Sequence, residues 1–206
     1  MTITLNGPQV TRDQVVKLLN KHRVNYGKWG VAPSYTLDEL LKRLREEQVL
    51  LIEEEGVLIL KINVGNILPY IEDYDTGDLF ELYEERQVHT GGVIVQRHHL
   101  RGVTGILLRN ERPEDGAKRE LVEELGHTEP RLRTCPIGTT HWEDGTLVRI
   151  GHSRKWPGLK CVTNSVGFKF RMPPGLYHRQ YTEVTFNHET RQVLRTSIFE
   201  WRIWQG

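Results

Sequence analysis

The chain has almost no sulfur, no excess of charge of one sign and no long apolar run, and each shortage excludes something. Its 28 lysines and arginines stand against 27 aspartates and glutamates, a net charge of +1 with histidine neutral. No field of one sign draws the chain to DNA or to an anionic membrane, so neither partner is expected. Two cysteines, Cys135 and Cys161, make no disulfide framework and no CxxC metal spacing. They read as reduced thiols of a cytoplasmic protein. No apolar run approaches the roughly 20 residues a membrane span needs. The opening MTITLNGPQV has neither a basic n-region nor an apolar h-region, so no signal peptide is expected there. No two of the nine histidines stand at helical i, i+4 spacing. Neither an internal repeat nor a low-complexity segment is visible. The 206 residues suffice for one large domain, or for one domain with a small extension, and for a substantial core.

What is present begins with helices. Thr11 to Arg23 has an N-cap threonine and an apolar stripe of Val15, Val16, Leu18 and Leu19. A turn with two aromatics, Tyr26 and Trp29, follows. Ser34 or Thr36 then opens a second helix, Leu37 to Glu47, with leucines at 37, 40, 41 and 44. Residues 1–50 thus read as a helical extension, and residues 51–206 as the main domain.

From Val49 the period changes to that of strands. Val49 to Ile52, Val57 to Val64, Ile67 to Tyr74 and Asp78 to Gln87 are β-prone, the last two joined by a hairpin at Asp75-Thr76-Gly77. Gly92 to Gln96 is a further short strand. Arg97 to Arg101 is a compact basic stretch, either a polar turn or a place to meet phosphates. Arg131 to Thr140 returns to strand, His141 to Gly145 reads as a loop, and Leu147 to Ile150 as strand again. A turn at Arg154 to Leu159 and strands at Cys161 to Phe170, Tyr181 to Phe186 and Phe199 to Trp204 complete the chain. In the last, Phe199, Trp201 and Ile203 share one face and Trp204 takes the other.

The most informative stretch is Gly105 to His127, GILLRNERPEDGAKRELVEELGH. Pro113 suits a first helical turn, Glu114 and Asp115 place negative charge at the positive end of the dipole, and Gly126 marks the stop. Wound at about 100° per residue, Glu120, Glu123 and Glu124 fall at roughly 0°, −60° and +40°. Leu121, Leu125 and Val122 fall at roughly 100°, 140° and 200°. One face is three carboxylates and the adjacent face is core. Like charges three or four apart cost ~0.2–0.5 kcal/mol per pair. A hard divalent cation such as Mg²⁺ removes that conflict, and carboxylate oxygens suit it. Arg119 stands beside the acidic face, where a bidentate pair can orient a carboxylate. Glu111, just before the helix, can reach back to the same place. A solvated, charge-rich amphipathic helix is the alternative for RELVEEL taken alone, but it leaves Gly105 and Glu111 unexplained.

These residues resemble the Nudix box: glycine, five residues, Glu, seven residues, Arg-Glu, an aliphatic, one residue, Glu-Glu, one residue, Gly, an aliphatic. Gly105, Glu111, Arg119, Glu120, Leu121, Glu123, Glu124 and Gly126 match. His127 replaces the last aliphatic, the usual Gly-Gly opening is Thr104-Gly105, and Asn110, which tolerates a left-handed turn, stands where a glycine commonly precedes the first Glu. Lys28-Trp29-Gly30, the turn at 154–159 and the closing FEWRIW are similar to one plant and microbial branch of Nudix-like proteins.

The resemblance implies an α/β/α sandwich with a mixed β-sheet over 51–206. It implies a Mg²⁺- or Mn²⁺-dependent hydrolase that cleaves the phosphoanhydride of a nucleoside diphosphate linked to another group. Glu120 and Glu124 would be the first metal ligands, Glu123 the next, and Glu111 a supporting ligand or an anchor through Arg119. Glu120, Glu123 and Arg119 form the catalytic set. Glu120 is the expected general base, with Glu143 and Glu183 as acids outside the box. Gly105 would let the loop approach the diphosphate. Arg97, Arg101, Arg154 and Lys155 can hold phosphates. Trp142 and Trp156 can either stack on a base or pack at a sheet margin. Two other classes stay open: a Nudix-fold module that binds a nucleotide or a protein without turnover, and a homodimer formed through the helical extension.

Overall fold

A computed structural model gives the chain a sheet-dominated α/β fold with few helices, the class the sequence implies. It describes residues 2–31, 34–126, 130–133, 139–173, 178–186 and 192–203. In order, the elements are β1 (Ile3–Leu5), α1 (Arg12–Lys21), α2 (Leu37–Arg45), β2 (Val49–Glu54), β3 (Val57–Glu72), β4 (Leu79–His89), β5 (Ile94–Arg101), β6 (Val103–Ile106), α3 (Pro113–Leu125), β7 (Thr139–His152), β8 (Lys160–Arg171), β9 (Gln180–Phe186) and β10 (Val193–Ile203). Short 3₁₀ turns lie at Tyr26–Lys28 and Pro130–Arg133. Every strand pair whose register is described below runs antiparallel. No helix among the described residues is long and apolar enough to cross a membrane.

The chain divides into two compact units. The first comprises residues 1–64, 106–112 and 146–166. Its helices start where the sequence provides caps. Thr11 and Gln14 form a reciprocal capping box, with the Thr11 hydroxyl accepting from Gln14 N–H and Gln14 Oε1 accepting from Thr11 N–H. Of the two candidates for the second helix, Thr36 is the cap, its hydroxyl accepting from Glu39 N–H at 3.1 Å. Each such cap is worth about 1 kcal/mol. The apolar faces bury Val15, Leu19, Leu40 and Leu44 in one cluster with Leu51 of β2, Leu60 of β3, Trp156 and Leu159. The turn at 154–159 therefore belongs to the core that the two helices cover. Trp29 Nε1 donates to the Pro157 carbonyl at 3.0 Å and Trp156 Nε1 to the Thr36 carbonyl at 3.2 Å.

The second unit comprises residues 65–105, 113–145 and 167–206. Its sheet carries β4 between the end of β3 and β10, with β9 beyond β10 and β5 also paired to β4. Its largest fully buried side chains among the described residues include Ile67, Leu68, Leu82, Leu121, Phe168, Phe170 and Tyr181. Helix α3 lies against β9.

Four local expectations change. Val57 to Tyr74 is not two strands, because β3 runs unbroken through Gly65 and Asn66 to Glu72. The basic stretch Arg97 to Arg101 is not a turn but the second half of β5, paired with β4. His141 to Gly145 is not a loop but lies within β7. Pro130–Arg133 is 3₁₀ rather than strand, consistent with the proline that opens it. Cys135, His127 and Trp204 lie outside the described residues.

Candidate active site

Helix α3 forms as the sequence requires, from Pro113 to Leu125, with Glu114 and Asp115 in its first turn. Leu121 and Leu125 are fully buried and Val122 is half-buried, so the apolar face points inward. The acidic face is graded. Glu120 is buried, Glu124 is half-buried and Glu123 is exposed. The winding accounts for Glu124 lying deeper than Glu123, since Glu124 is closer to the leucine side, whereas Glu120 is covered by packing against Gly105.

Arg119 meets this face through its Nη1. That nitrogen donates to Glu120 Oε1 at 2.5 Å and to Glu123 Oε1 at 3.4 Å. Its contact with Glu123 reaches both carboxylate oxygens, Oε2 lying 3.5 Å away, so the guanidinium bridges two carboxylates of the face.

Gly105 has a packing role beside Glu120. A Cβ built there would lie 1.8 Å from Glu120 Oε2. The glycine makes room for the Glu120 side chain. Gly126 ends the helix in a similar way, since a Cβ there would lie 2.2 Å from the Val122 carbonyl oxygen. Its N–H donates to that same carbonyl at 2.8 Å. Asn110 does not adopt the left-handed conformation. Its amide donates instead to Glu47 within the first unit. Glu111 belongs to that unit too, and its Oε1 accepts from Leu108 N–H at 2.6 Å.

Because α3 lies against β9, Glu124 meets Glu183. Burial, the Glu183 charge and the Glu120 charge raise the Glu124 carboxyl to about 8, and Arg195 opposes the rise. The two carboxyl groups share a hydrogen bond. Arg195 Nη2 in turn pairs with Glu183 Oε2 at 3.1 Å and Thr185 Oγ1 at 3.2 Å. Its Nε is buried with no hydrogen-bond partner among the described residues.

These groups line a cavity of about 340 Å³. Glu124, Glu183 and Arg195 form part of the wall, with Glu84, Gln87, Arg97 and Ser197 beside them. Of the expected phosphate-binding residues, Arg97 is here, its Nε 3.4 Å from Glu84 Oε2. The Arg101 and Trp142 side chains, on β5 and β7, lie outside the described set, as does that of Glu143. Arg154 and Lys155 belong to the first unit, where the Lys155 ammonium sits 4.4 Å from the centre of the Tyr35 ring. Trp156 offers no face for stacking on a base. It is 2% exposed and packs edge-on against Tyr35.

Sequence reasoning held Glu183 only as a weak outside acid and did not find Glu84, Gln87 or Arg195. The signal for Glu183 is slight: a carboxylate inside a β-prone run, on the same strand face as the buried Tyr181.

No family model matches the chain, and no curated protein matches its sequence. Solved structures that resemble it include a C. elegans Ap4A hydrolase in a binary complex, 15% identical over 69% of this chain and 80% of that one, with a TM-score of 0.33. A second structure, of C. elegans Ap4A hydrolase, is 14% identical over the same shares, with a TM-score of 0.33. A MutT/nudix family protein from Enterococcus faecalis is 18% identical over 86% of this chain and 66% of that one, with a TM-score of 0.36. Likenesses at this level of identity and TM-score carry no weight on function.

Proposed function

We propose that the chain is a divalent-metal-dependent hydrolase that cleaves the phosphoanhydride bond of a nucleoside diphosphate linked to another group. One observation carries the reading: Glu124 of the box helix is pressed against Glu183, with Glu120 near enough to raise its carboxyl further, in a cavity that also holds two arginines. Crowded carboxylates that cannot all ionise comfortably are a poor structural element and a good donor set for a hard cation.

The fit to a metal rests on that donor chemistry. Among the described residues no three His, Cys, Asp or Glu side chains are arranged to hold a metal as they stand. Glu120, Glu124 and Glu183 would hold it, with Glu123 available once Arg119 releases it. A bound Mg²⁺ or Mn²⁺ would neutralise the diphosphate and lower the pKa of an attacking water. The chain's own residues do the rest. Arg195 has an unspent Nε–H and Arg97 a guanidinium at the cavity wall, both suited to phosphate oxygens. Glu124 and Glu183 face each other across a hydrogen bond, and a member of the pair that is ionised can accept a proton from water. Glu120, the expected base, is buried and tied to Arg119 at 2.5 Å, which favours a holding role.

A binding module without turnover is the second reading. The observation for it is Arg119, which already neutralises Glu120 and Glu123. Hydrolysis in ¹⁸O-labelled water separates the two. The hydrolase gives two phosphate-bearing products with label in one of them, and the module gives binding with no labelled product.

A further inference from the structure

The cavity has a second wall that the hydrolytic chemistry does not use. Across the β4–β10 ladder, Ser197 faces Gln87 and Phe199 faces Glu84, and across β10–β9 Ser197 faces Glu183. Directly opposed residues share a sheet face. Glu183, Ser197 and Gln87 therefore form one row across three strands, with Glu84 in the next.

Glu84 and Gln87 are three residues apart and should point to opposite faces. The ladder slips between them: Phe199 pairs with Glu84 and Ile198 with Arg86, leaving Glu85 as the extra residue of a β-bulge. The bulge turns Glu84 and Gln87 to the same side. There they are 8% and 6% exposed, and Ser197 is 1% exposed.

Gln87 Nε2 donates to Glu84 Oε1 at 2.6 Å. A carboxylate only accepts, so this contact fixes the amide with nitrogen toward Glu84 and oxygen away from it. Among the described residues the Gln87 amide oxygen receives no hydrogen bond. Arg97 reaches Glu84 Oε2 only at 3.4 Å, which leaves that oxygen capacity to accept. The wall thus offers two acceptors, an amide oxygen and a carboxylate oxygen, and a hydroxyl that both accepts and donates. Its complement is a group rich in donors and without negative charge. Sugar hydroxyls fit. A phosphate, which accepts and carries the same charge as Glu84, does not. Phe199 is 3% exposed and gives no open ring for a base. At about 340 Å³ the cavity is at the small end of ligand pockets, roughly 300–1,000 Å³.

We infer that Glu84, Gln87 and Ser197 form a subsite for an uncharged, hydroxyl-bearing group, the sugar of a nucleoside diphosphate sugar, and that the subsite turns away a terminal phosphate. This rests on the hydrolase reading for the position of the diphosphate. The probes are non-cleavable α,β-methylene forms of UDP-glucose, UDP and UTP, with the adenine counterparts, titrated calorimetrically into the protein with Mg²⁺. The sugar-bearing probe binds at least about tenfold more tightly than the plain diphosphate or the triphosphate of the same base. Gln87→Leu and the gentler Glu84→Gln each erase that advantage, and Gln87→Leu, which leaves both partners of the Arg97–Glu84 contact in place, changes plain diphosphate binding by less than about threefold. Glu84→Gln also admits the triphosphate.

Equal binding of sugar-bearing and plain probes, tightest binding of the triphosphate, or variants that weaken all three alike would overturn the subsite. If metal-dependent turnover persists in that case, the hydrolase reading survives alone. A sugar advantage with no turnover of any cleavable diphosphate sinks the hydrolase reading and leaves the subsite. If no probe binds, both fall.

Discussion

Gly105 leaves space that the carboxylate of Glu120 fills. A Cβ at Gly105 would lie 1.8 Å from Glu120 Oε2 and 2.0 Å from its Cδ, well inside van der Waals contact. The backbone of Gly105 is not left-handed, so the need for glycine is space alone. Gly105→Ala should push Glu120 off its position and break its geometry with Arg119. Misplacement of a catalytic group by an ångström costs about 100-fold. The expected result is a loss of that order in kcat/KM with a folded protein by circular dichroism. Unchanged kcat/KM would show that Glu120 is not part of the machinery.

Glu124 makes stability depend on pH in a direction opposite to most acids. Its folded value is raised from 4.5 to about 8, so the native state holds a proton that the unfolded chain has lost. Stability therefore falls as pH rises between those two values, by at most about 1.4 kcal/mol per pH unit. Thermal melts in chelator should show Tm declining across that window. Glu124→Gln should flatten the decline and melt higher than the natural chain at pH 8. A flat profile in the natural chain would contradict the placement of Glu124 beside Glu183.

Glu53 works the other way, in the first unit. Its buried carboxylate takes a hydrogen bond from Lys21 Nζ at 2.5 Å, and His22 Nε2 lies 3.4 Å away. The Lys21 bond, with the Lys21 and His22 charges, holds its carboxyl below the usual value of 4.5 against the effect of burial. The contribution is present above the unfolded value and is lost as pH falls through the folded one. Glu53→Gln should lower Tm at pH 7 and make the melt less sensitive to acid below pH ~4.5. Equal acid sensitivity in the two proteins would place the effect elsewhere.

Trp156 closes the first unit's core. With 2% exposure and its indole N–H on the Thr36 carbonyl, Trp156→Ala should cost about 3–5 kcal/mol, read by urea unfolding. A cost below about 1 kcal/mol, the scale of a surface change, would mean the turn at 154–159 is not part of that core.

Helix α3 was legible because its signals are local: a proline at the start, a glycine just past the end, and leucines and glutamates at helical spacing. The caps at Thr11 and Thr36 were legible for the same reason. The partner of Glu124 was not, since β9 meets α3 only through tertiary packing and nothing near Glu183 in the chain points to the box. The wall of Glu84 and Gln87 was less legible still. Strict alternation puts them on opposite faces, and the bulge at Glu85 that reunites them has no glycine or proline to announce it. The long strand β3 was read as two because Gly65-Asn66 is a turn signal, and the strand runs through it. Trp156 was a loop aromatic by sequence and a core residue by structure, because the loop that carries it packs in one cluster with α1 and α2.

The central claim is that Glu120, Glu124 and Glu183 serve a divalent cation that activates water on a diphosphate. Its most direct test is the release of phosphate-bearing products from a panel of nucleoside diphosphate derivatives with Mg²⁺ or Mn²⁺, the natural chain beside Glu124→Gln and Glu183→Gln. Metal-dependent turnover of at least one derivative, abolished by chelator and reduced about 100-fold or more in both variants, is the predicted result. A flat panel from folded protein, or turnover that survives in both variants, would contradict it.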